Sequence, residues 1–574
     1  MNSIKRTEKL FYFVKDNIVV IFILLLAFSI RFYGINYSYP FGVNYIWDEI
    51  NGITYLFDVL QSGNMFSTSS QYPLFLPLVY LPVLALRLMY IGLREGLYDT
   101  QSLKNYLVEF GVGNAYIIIR WYGVFFGTAT VYVVYRIYRL ILKHKFSAYL
   151  AALAYGLSLV PQAMSHWGKM HNAMVFFLTL SLFFIVKFEK EKNIKFFYWS
   201  LVAASLSFSS HYIGISAFIF PFCGLIVNKN NFNKLNILKS FLLSALIVSF
   251  FYLTTLKGVL SMFHNVFDNY YSKTGFTGLL PVGTWERFYY VFRDSFFVEP
   301  VFLVIFIVVF LFMFVKLFKD KYLRYVFFGI LFNYFLMITI IVGPGLTRWL
   351  LVFMVLAIPL GAGVFSELLI DRFSCRMTVY FFLLLLLLPS LFFDWTWLRL
   401  LKEDTLSETS EWLRDNLQNS QVAYSFVMEL TIEPSYAAAL WQKESNNVLN
   451  SDKINYVLEN KEKFKDRGLN LYYDYGFSRY QGLGGEDTKY VILYYWLADD
   501  EKGRSLLMTK KLENQIVEDI RRYHKLELVQ TFYPTKDEEL VAIGVGDYIN
   551  NPLRWTTLLK LKRGGPFVDV YAVD

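Results

Sequence analysis

The chain of 574 residues is 56% hydrophobic and 20% aromatic, with a mean hydropathy of +0.39, which excludes a soluble multidomain protein of that length. Its formal charge of +9 does not mark a nucleic-acid binder, because Lys and Arg fall in short clusters between apolar runs, where the positive-inside rule puts them. Two cysteines, Cys223 in an apolar run and Cys375 in a basic loop, exclude a disulfide framework and a cysteine metal knuckle.

The chain opens with Lys5, Arg6, Lys9 and Lys15 before an apolar run over 18–35 that no small-residue cleavage site follows, so an uncleaved first span is expected. Further runs near 116–138, 147–164, 172–188, 197–212, 213–228, 240–256, 300–316, 325–342, 347–366 and 377–395 approach the roughly 20 residues that cross a bilayer. The fold expected is an α-helical polytopic membrane protein of about eleven spans. The break between 197–212 and 213–228 rests on Gly214 alone. Basic clusters at Arg136/Arg139/Lys143/Lys145, Lys187/Lys190/Lys192/Lys195, Lys229/Lys234/Lys239, Lys316/Lys319/Lys321/Arg324 and Arg372/Arg376 occupy alternate gaps, which places them and the N-terminus in the cytoplasm. This parity needs the apolar piece from Tyr72 to Tyr90 to stay on the outer side. Its Pro73, Pro77 and Pro82 fit an interfacial or re-entrant segment.

The same parity turns one set of loops outward: Trp47-Asp48-Glu49, Ser165–Asn172, the region of His211, the loop 257–298 with His264, and Gly343–Trp349. Asp48 and Glu49 open "IWDEINGITYLFDVLQSGN", whose apolar residues Ile50, Ile53, Leu56, Phe57 and Leu60 have helical spacing. An amphipathic helix at the interface would hold Asp48 partly desolvated at the rim of the bundle, as a general base requires. A solvated loop is the plain alternative. Lys169 reads as a snorkelling cation or a phosphate ligand. His166 and His171 suit phosphate, metal or proton relay, against a structural hydrogen-bonding role. Arg348, beside Gly343-Pro344-Gly345, is either an interfacial anchor or a bidentate phosphate grip. Arg120 lies inside the second span, where snorkelling explains it less well and a loop acid would pair with it.

After Asp394 charges recur every few residues. "SETSEWLRDNL" (Ser407–Leu417) reads as a capped helix, and Lys489–Asp499 and Leu526–Pro534 as strands. Two domains are therefore expected, a membrane domain 1–396 whose outer loop 36–115 carries juxtamembrane helices, and an extracytoplasmic α/β domain 397–574.

These features resemble a known group. The acid pair after the first span, "RWYGVFFGTATVYVVYRIYRL" (Arg120–Leu140), "SHWGKMHNAMVFFLTLSLFF" (Ser165–Phe184), "TRWLLVFMVLAIPLGAG" (Thr347–Gly363) and the tail Leu558–Val573 are similar to the protein O-mannosyltransferase and lipid A aminoarabinose transferase group. Those proteins are polyprenyl-phosphate-dependent glycosyltransferases of the C-type membrane fold. The chain departs from their pattern at His171, where many members carry an aspartate, at His211 in "SSHYIG", and at Gln71-Tyr72, where relatives carry Lys or His.

The resemblance implies a plasma (inner) membrane enzyme that moves a sugar from a polyprenyl-phosphate donor to a hydroxyl of a glycan, lipid or protein acceptor, with inversion. Asp48 is then the base and Glu49 its partner or an acceptor ligand. Lys169, Arg348, Arg120, His211 and Tyr72 are the donor-phosphate candidates, and His171 and His166 contact substrate or a metal. No organic cofactor is implied, and a divalent cation stays open. The alternatives are a non-catalytic scaffold subunit of glycan assembly and a lipid-linked sugar transporter, the latter opposed by charges at one face and by the lack of an inverted repeat.

Overall fold

A computed structural model describes residues 2–36, 75–106, 112–168, 170–229, 232–252, 284–340, 347–373, 376–402, 404–418, 421–425, 430, 432–444, 451–465, 468–473, 488–495, 497–498, 510–535, 542–543 and 555–573. Asp48, Glu49, the amphipathic segment after them, Tyr72, Lys169, His264 and Gly343-Pro344-Gly345 lie outside the described residues.

The apolar runs fold as helices: α1 Asn2–Phe32, α2 Phe75–Glu95, α3 Val112–Ile141, α4 Lys145–Gly156, α5 Leu159–His166, α6 His171–Glu191, α7 Ile194–Ser210, α8 Ile219–Val227 and α9 Lys234–Tyr252. They continue as α10 Thr284–Val298, α11 Pro300–Lys319, α12 Leu323–Ile340, α13 Leu351–Arg372, α14 Arg376–Leu385 and α15 Leu388–Leu400. Among the described residues six helical stretches are long and apolar enough to cross a membrane: Ile117–Ile141, His171–Glu191, Lys234–Tyr252, Pro300–Lys319, Leu351–Arg372 and Met377–Leu400. Asn17–Phe32, Tyr212–Val227 and Leu323–Ile338 are shorter apolar helices. The chain is a multi-pass, mostly helical membrane protein with a small C-terminal sheet.

The predicted run 147–164 is broken. Ser158 takes an extended conformation between α4 and α5, and Pro161 falls in the first turn of α5, where its missing N–H costs nothing. The predicted break at Gly214 is a 3-10 turn, Tyr212–Phe218, between α7 and α8. A Cβ on Gly214 would collide with the Ser207 carbonyl oxygen, so only glycine lets this turn lie against α7.

The proline-bearing piece after Tyr72 forms a continuous helix, α2, with Pro82 inside it. Phe75 packs on Phe177, which also meets Phe126, and the Tyr122 hydroxyl donates to the Val79 carbonyl at 2.8 Å. Helix α2 therefore runs antiparallel to α3, from the level of Phe126 near that helix's middle toward its N-terminal end. Tyr80, Leu84 and Leu88 pack there with Ile118, Ile119 and Phe126.

Beyond α15 comes α16, Thr405–Asn416. Asp404 caps it, accepting from the Ser407 backbone N–H at 2.8 Å and the Ser407 hydroxyl at 2.9 Å. Strands β1 Val422–Ser425, β2 Asn470–Tyr473, β3 Thr488–Tyr495, β4 Leu497–Ala498, β5 Leu526–Phe532, β6 Ala542–Ile543 and β7 Phe567–Val573 follow. Five of them form a mixed sheet in the order β2-β1-β3-β7-β5, with β1 parallel to β2 and β3, and β7 antiparallel to β3 and β5. Some buried residues of this sheet, among them Ala423, Val568 and Val570, join the same apolar cluster as the helices, whereas Val491, Leu493, Leu526 and Phe567 pack in a separate cluster with Ile516, Val517 and Ile520. Arg399 near the end of α15 donates to the Leu561 carbonyl at 3.2 Å, which ties the last helix to the sheet region.

Candidate active site

A fully buried polar cluster occupies the end of the bundle where α1 finishes and α5, α11 and α15 meet. Arg31, four residues past Ala27 in the last turn of α1, is 0% exposed and donates from Nη1 to the Ala27 and Gly156 carbonyls at 3.1 and 2.9 Å. A buried guanidinium needs an acid in its field, and Asp394 of α15, 1% exposed, supplies the charge. Gln162 of α5 donates its amide nitrogen to both Asp394 oxygens at 2.7 and 2.9 Å. Glu299, 3% exposed and directly before Pro300, accepts from the Ser158 hydroxyl and from the Leu159 backbone N–H. Its carboxylate thus satisfies the opened N-terminus of α5 in place of a Ser158 cap.

Close helix approach makes this packing feasible. A Cβ on Gly123 would stand 2.6 Å from the Ser165 carbonyl oxygen, and one on Gly127 would meet the Ser165 hydroxyl and Arg31 Nε. Asn172 bridges the gap, donating to the Gly123 carbonyl at 3.2 Å and to the Ser165 hydroxyl at 2.9 Å.

Of the residues singled out in the sequence, four have described side chains and all four reach this end. Arg120 is 2% exposed and donates to the Ile35 carbonyl at 3.0 Å, closing the C-terminal end of α1. His166 places Nε2 2.7 Å from the Tyr33 carbonyl and Nδ1 3.1 Å from the Gln162 carbonyl, with its ring edge-on to Trp397. Both nitrogens face backbone carbonyls, of which a neutral ring donates to one, a positioning geometry. His171, the first residue of α6, is 4% exposed and lies with its ring 4.7 Å from that of His211. The His211 Nδ1 accepts from the Ile213 N–H at 3.2 Å, which assigns the proton of the neutral ring to Nε2. Arg348 is in a short 3-10 turn, Thr347–Leu350, at the entry to α13.

Arg31, Gln162, Glu299 and Asp394 were missing from the sequence-based set. For Arg31, Glu299 and Asp394 the signal was an ionisable group at or inside the end of an apolar run, repeated at the ends of three separate runs, whereas Gln162, an uncharged amide within a run, carried none.

The opposite end of the bundle has its own chemistry. Glu189, 2% exposed, accepts from Lys192, Asn228 and Tyr325 at 2.9, 2.8 and 2.9 Å. His144, Glu367 and Asp371 bring ligand atoms within 4.8 Å of one another, with Glu367 accepting the Lys143 and His144 backbone N–H groups. A metal at His166 and His171, by contrast, has no such gathering of ligands among the described residues.

Beside the polar cluster, Val83 and Arg87 of α2 and Ile117, Ile118, Trp121, Tyr122 and Phe125 of α3 line a groove of about 650 Å³.

The family model described as dolichyl-phosphate-mannose-protein mannosyltransferase matches residues 110–256, from the start of α3 to just past α9. No curated protein matches the chain. Among solved structures, the chain is similar to the oligosaccharyltransferase of Archaeoglobus fulgidus in the apo form, at 10% identity and a TM-score of 0.44, over 83% of this chain and 69% of that one. It is similar also to ArnT of Cupriavidus metallidurans bound to undecaprenyl phosphate, at 9% identity and a TM-score of 0.44, over 96% and 98%. The arabinofuranosyltransferase AftD from Mycobacteria aligns at 13% identity and a TM-score of 0.36, over 82% and 35%. Over residues 110–256, then, this chain resembles the dolichyl-phosphate-mannose-protein mannosyltransferases, as its sequence motifs led us to expect.

Proposed function

We propose that the protein transfers a sugar from a polyprenyl-phosphate donor to an acceptor hydroxyl of a glycan, lipid or protein. The observation that carries this reading is the family match over 110–256, the segment that contributes Arg120, His166, His171 and His211 to the polar end. That end faces the outer side of the plasma (inner) membrane, with the N-terminus in the cytoplasm, since the charge parity of the loops supports it. Residues 1–396 form the catalytic membrane domain and 397–574 an extracytoplasmic domain that caps it.

The chemistry accounts for a site with one base and several cations. A sugar phosphate ester carries its own leaving group, so inverting transfer requires removal of the acceptor proton and little acid assistance. Asp48 takes that proton, with Glu49 orienting it or binding the acceptor. As the glycosidic bond breaks, the phosphate gains a second negative charge, and cations beside it bind the transition state more tightly than the ground state. Lys169 and Arg348 serve there, with Tyr72 as a hydrogen-bond donor. Arg120, a donor-phosphate candidate, is buried and bonded to the Ile35 carbonyl, which supports a role in holding this end of the bundle in place. The paired rings of His171 and His211 support contact with substrate.

The test is consumption of a panel of synthetic polyprenyl-phosphate sugars by the purified protein in liposomes, with and without EDTA. Release of polyprenyl phosphate with any donor supports the reading. Binding of prenyl phosphates with no donor consumed in the presence of acceptors overturns it and favours a scaffold or a lipid-linked sugar transporter. The EDTA arm decides whether a divalent cation takes part.

A further inference from the structure

At the end of the bundle opposite the buried polar cluster, the junction of α3 with α4 meets the last turns of α13. Glu367 and Asp371, four residues apart, share one face of α13 near its C-terminus. Both placements are unfavourable for the helix by itself, since like charges at that spacing repel and acids at a C-terminus oppose the macrodipole. A cation beside the pair relieves both. His144, between α3 and α4, places Nε2 2.9 Å from Asp371 Oδ1. Glu367 accepts the Lys143 and His144 backbone N–H groups at 2.8 and 3.2 Å, one on each oxygen, which fixes its carboxylate and leaves a lone pair open on each. The frame around these groups is close-packed. A Cβ on Gly363, one turn before Glu367, would meet Leu142, Tyr138 and Ala151 at 3.0, 3.3 and 3.3 Å, so α13 lies directly against α3 and α4 here.

We infer that His144, Glu367 and Asp371 form a binding site for a borderline divalent transition cation of the class of Mn²⁺, Co²⁺ or Zn²⁺, completed by water. The donor set is one imidazole nitrogen with carboxylate oxygens, and the three ligand atoms lie within 4.8 Å of one another. An imidazole ligand favours such ions over Mg²⁺ and Ca²⁺, which take oxygen. Two neighbouring ligand atoms at about 2.1 Å from an octahedral ion stand about 3.0 Å apart, close to the separation of Nε2 and Asp371 Oδ1. A carboxylate only accepts, so the Nε2 proton lies between the ring and Asp371 when no ion is bound. The ion takes its place and the proton leaves to water. The His144 and Asp371 side chains are 26 and 47% exposed, which gives the ion a path from solvent. Lys143, with Nζ 3.4 Å from Asp371 Oδ2, is the competing cation, and it is well exposed. A bound ion staples the start of α4 to the end of α13, far from the residues proposed for sugar transfer, so the site does not depend on that reading.

The experiment is a Mn²⁺ titration of the chelator-treated, full-length protein in phosphatidylcholine nanodiscs, with free Mn²⁺ read by electron paramagnetic resonance and no sugar donor present. The wild type should bind Mn²⁺ and release it to Zn²⁺, but not to an equal concentration of Mg²⁺. His144→Ala and Asp371→Asn should each weaken this binding by at least about tenfold. Lys143→Met should tighten it about two- to fivefold by removing an exposed competitor. His171→Ala, at the polar end of the bundle, should bind as the wild type does. Thermal melting with and without Mn²⁺ checks that each variant folds, and the ion should raise the melting temperature of the wild type but not of His144→Ala. If Asp371→Asn does not fold, His144→Ala and Lys143→Met decide, because neither removes a carboxylate from α13. No binding in the wild type, or equal binding in the wild type and His144→Ala, overturns the inference and leaves an ion pair beside a helix cap. Loss of the ion in His171→Ala with retention in His144→Ala overturns it too, and assigns the ion to the polar end. Because no donor is present, failure of sugar transfer leaves the result standing, and failure here leaves the transferase reading standing.

Discussion

Removing the Arg31 side chain, as Arg31→Met, tests whether the buried polar cluster is an interacting unit. Arg31 is 0% exposed and gives two hydrogen bonds, to Ala27 and Gly156, while Asp394, 1% exposed, sits in its field and is held by Gln162. Deleting one member of a buried charge pair strands the other, so Arg31→Met should lower stability by about 3–5 kcal/mol. Asp394→Asn keeps the amide contact with Gln162 but strands the buried Arg31 guanidinium in turn, so its cost should likewise be about 3–5 kcal/mol. In the double variant no charge is stranded, and the loss should fall short of the sum of the single losses by at least about 1 kcal/mol. Denaturant unfolding of the detergent-solubilised chain measures all three, followed by tryptophan fluorescence, since buried Trp397 packs on His166 beside the cluster. A loss below about 1 kcal/mol for Arg31→Met, or additivity within about 0.5 kcal/mol, would refute the interaction.

Other consequences are read more simply. Asp404→Ala removes the cap of α16 and should cost about 1 kcal/mol, seen as faster amide exchange over 405–409. Gly214→Ala forces a Cβ into the Ser207 carbonyl and should destabilise by more than about 2 kcal/mol, measured by thermal melting. Lys510 bonds Glu513 and Asp569 at 2.8 and 2.9 Å. Partial burial works to lower its pKa, but hydrogen bonds and charge from these two carboxylates outweigh it and raise the pKa above its usual 10.5. Its contribution to stability is therefore complete below about pH 10.5 and is lost as pH rises through the raised value. Amide exchange of β3 and β7 should accelerate there in the wild type, and Lys510→Met should lack that step.

The helices were legible because hydropathy is a local property: the runs beginning at 116, 172, 300 and 347 reappear as α3, α6, α11 and α13 with ends shifted by a few residues. The strands near Lys489 and Leu526 and the capped helix at Ser407 were readable for the same reason. What escaped depends on partners distant in sequence. Arg31 reads as an ordinary cation ending a span, and only the approach of Gly156 and Asp394 makes it a buried one. Glu299 reads as an acid before a proline, and its service to the N-terminus of α5, 140 residues away in sequence, exists only in three dimensions. Ser158 and Pro161 did not announce the break between α4 and α5, since the apolar run continues across them. His166, His171 and His211 lie at one end of the bundle, but their chemistry differs. His166 lies between two backbone carbonyls, while His171 and His211 form a ring pair.

The most direct test of the central claim is a comparison of sugar transfer by the wild type and Asp48→Asn, with donor binding and melting measured on the same preparations. Base catalysis by Asp48 predicts a folded variant that still binds polyprenyl phosphate and loses about 10²–10⁴-fold in turnover. Equal turnover in the two proteins would contradict it.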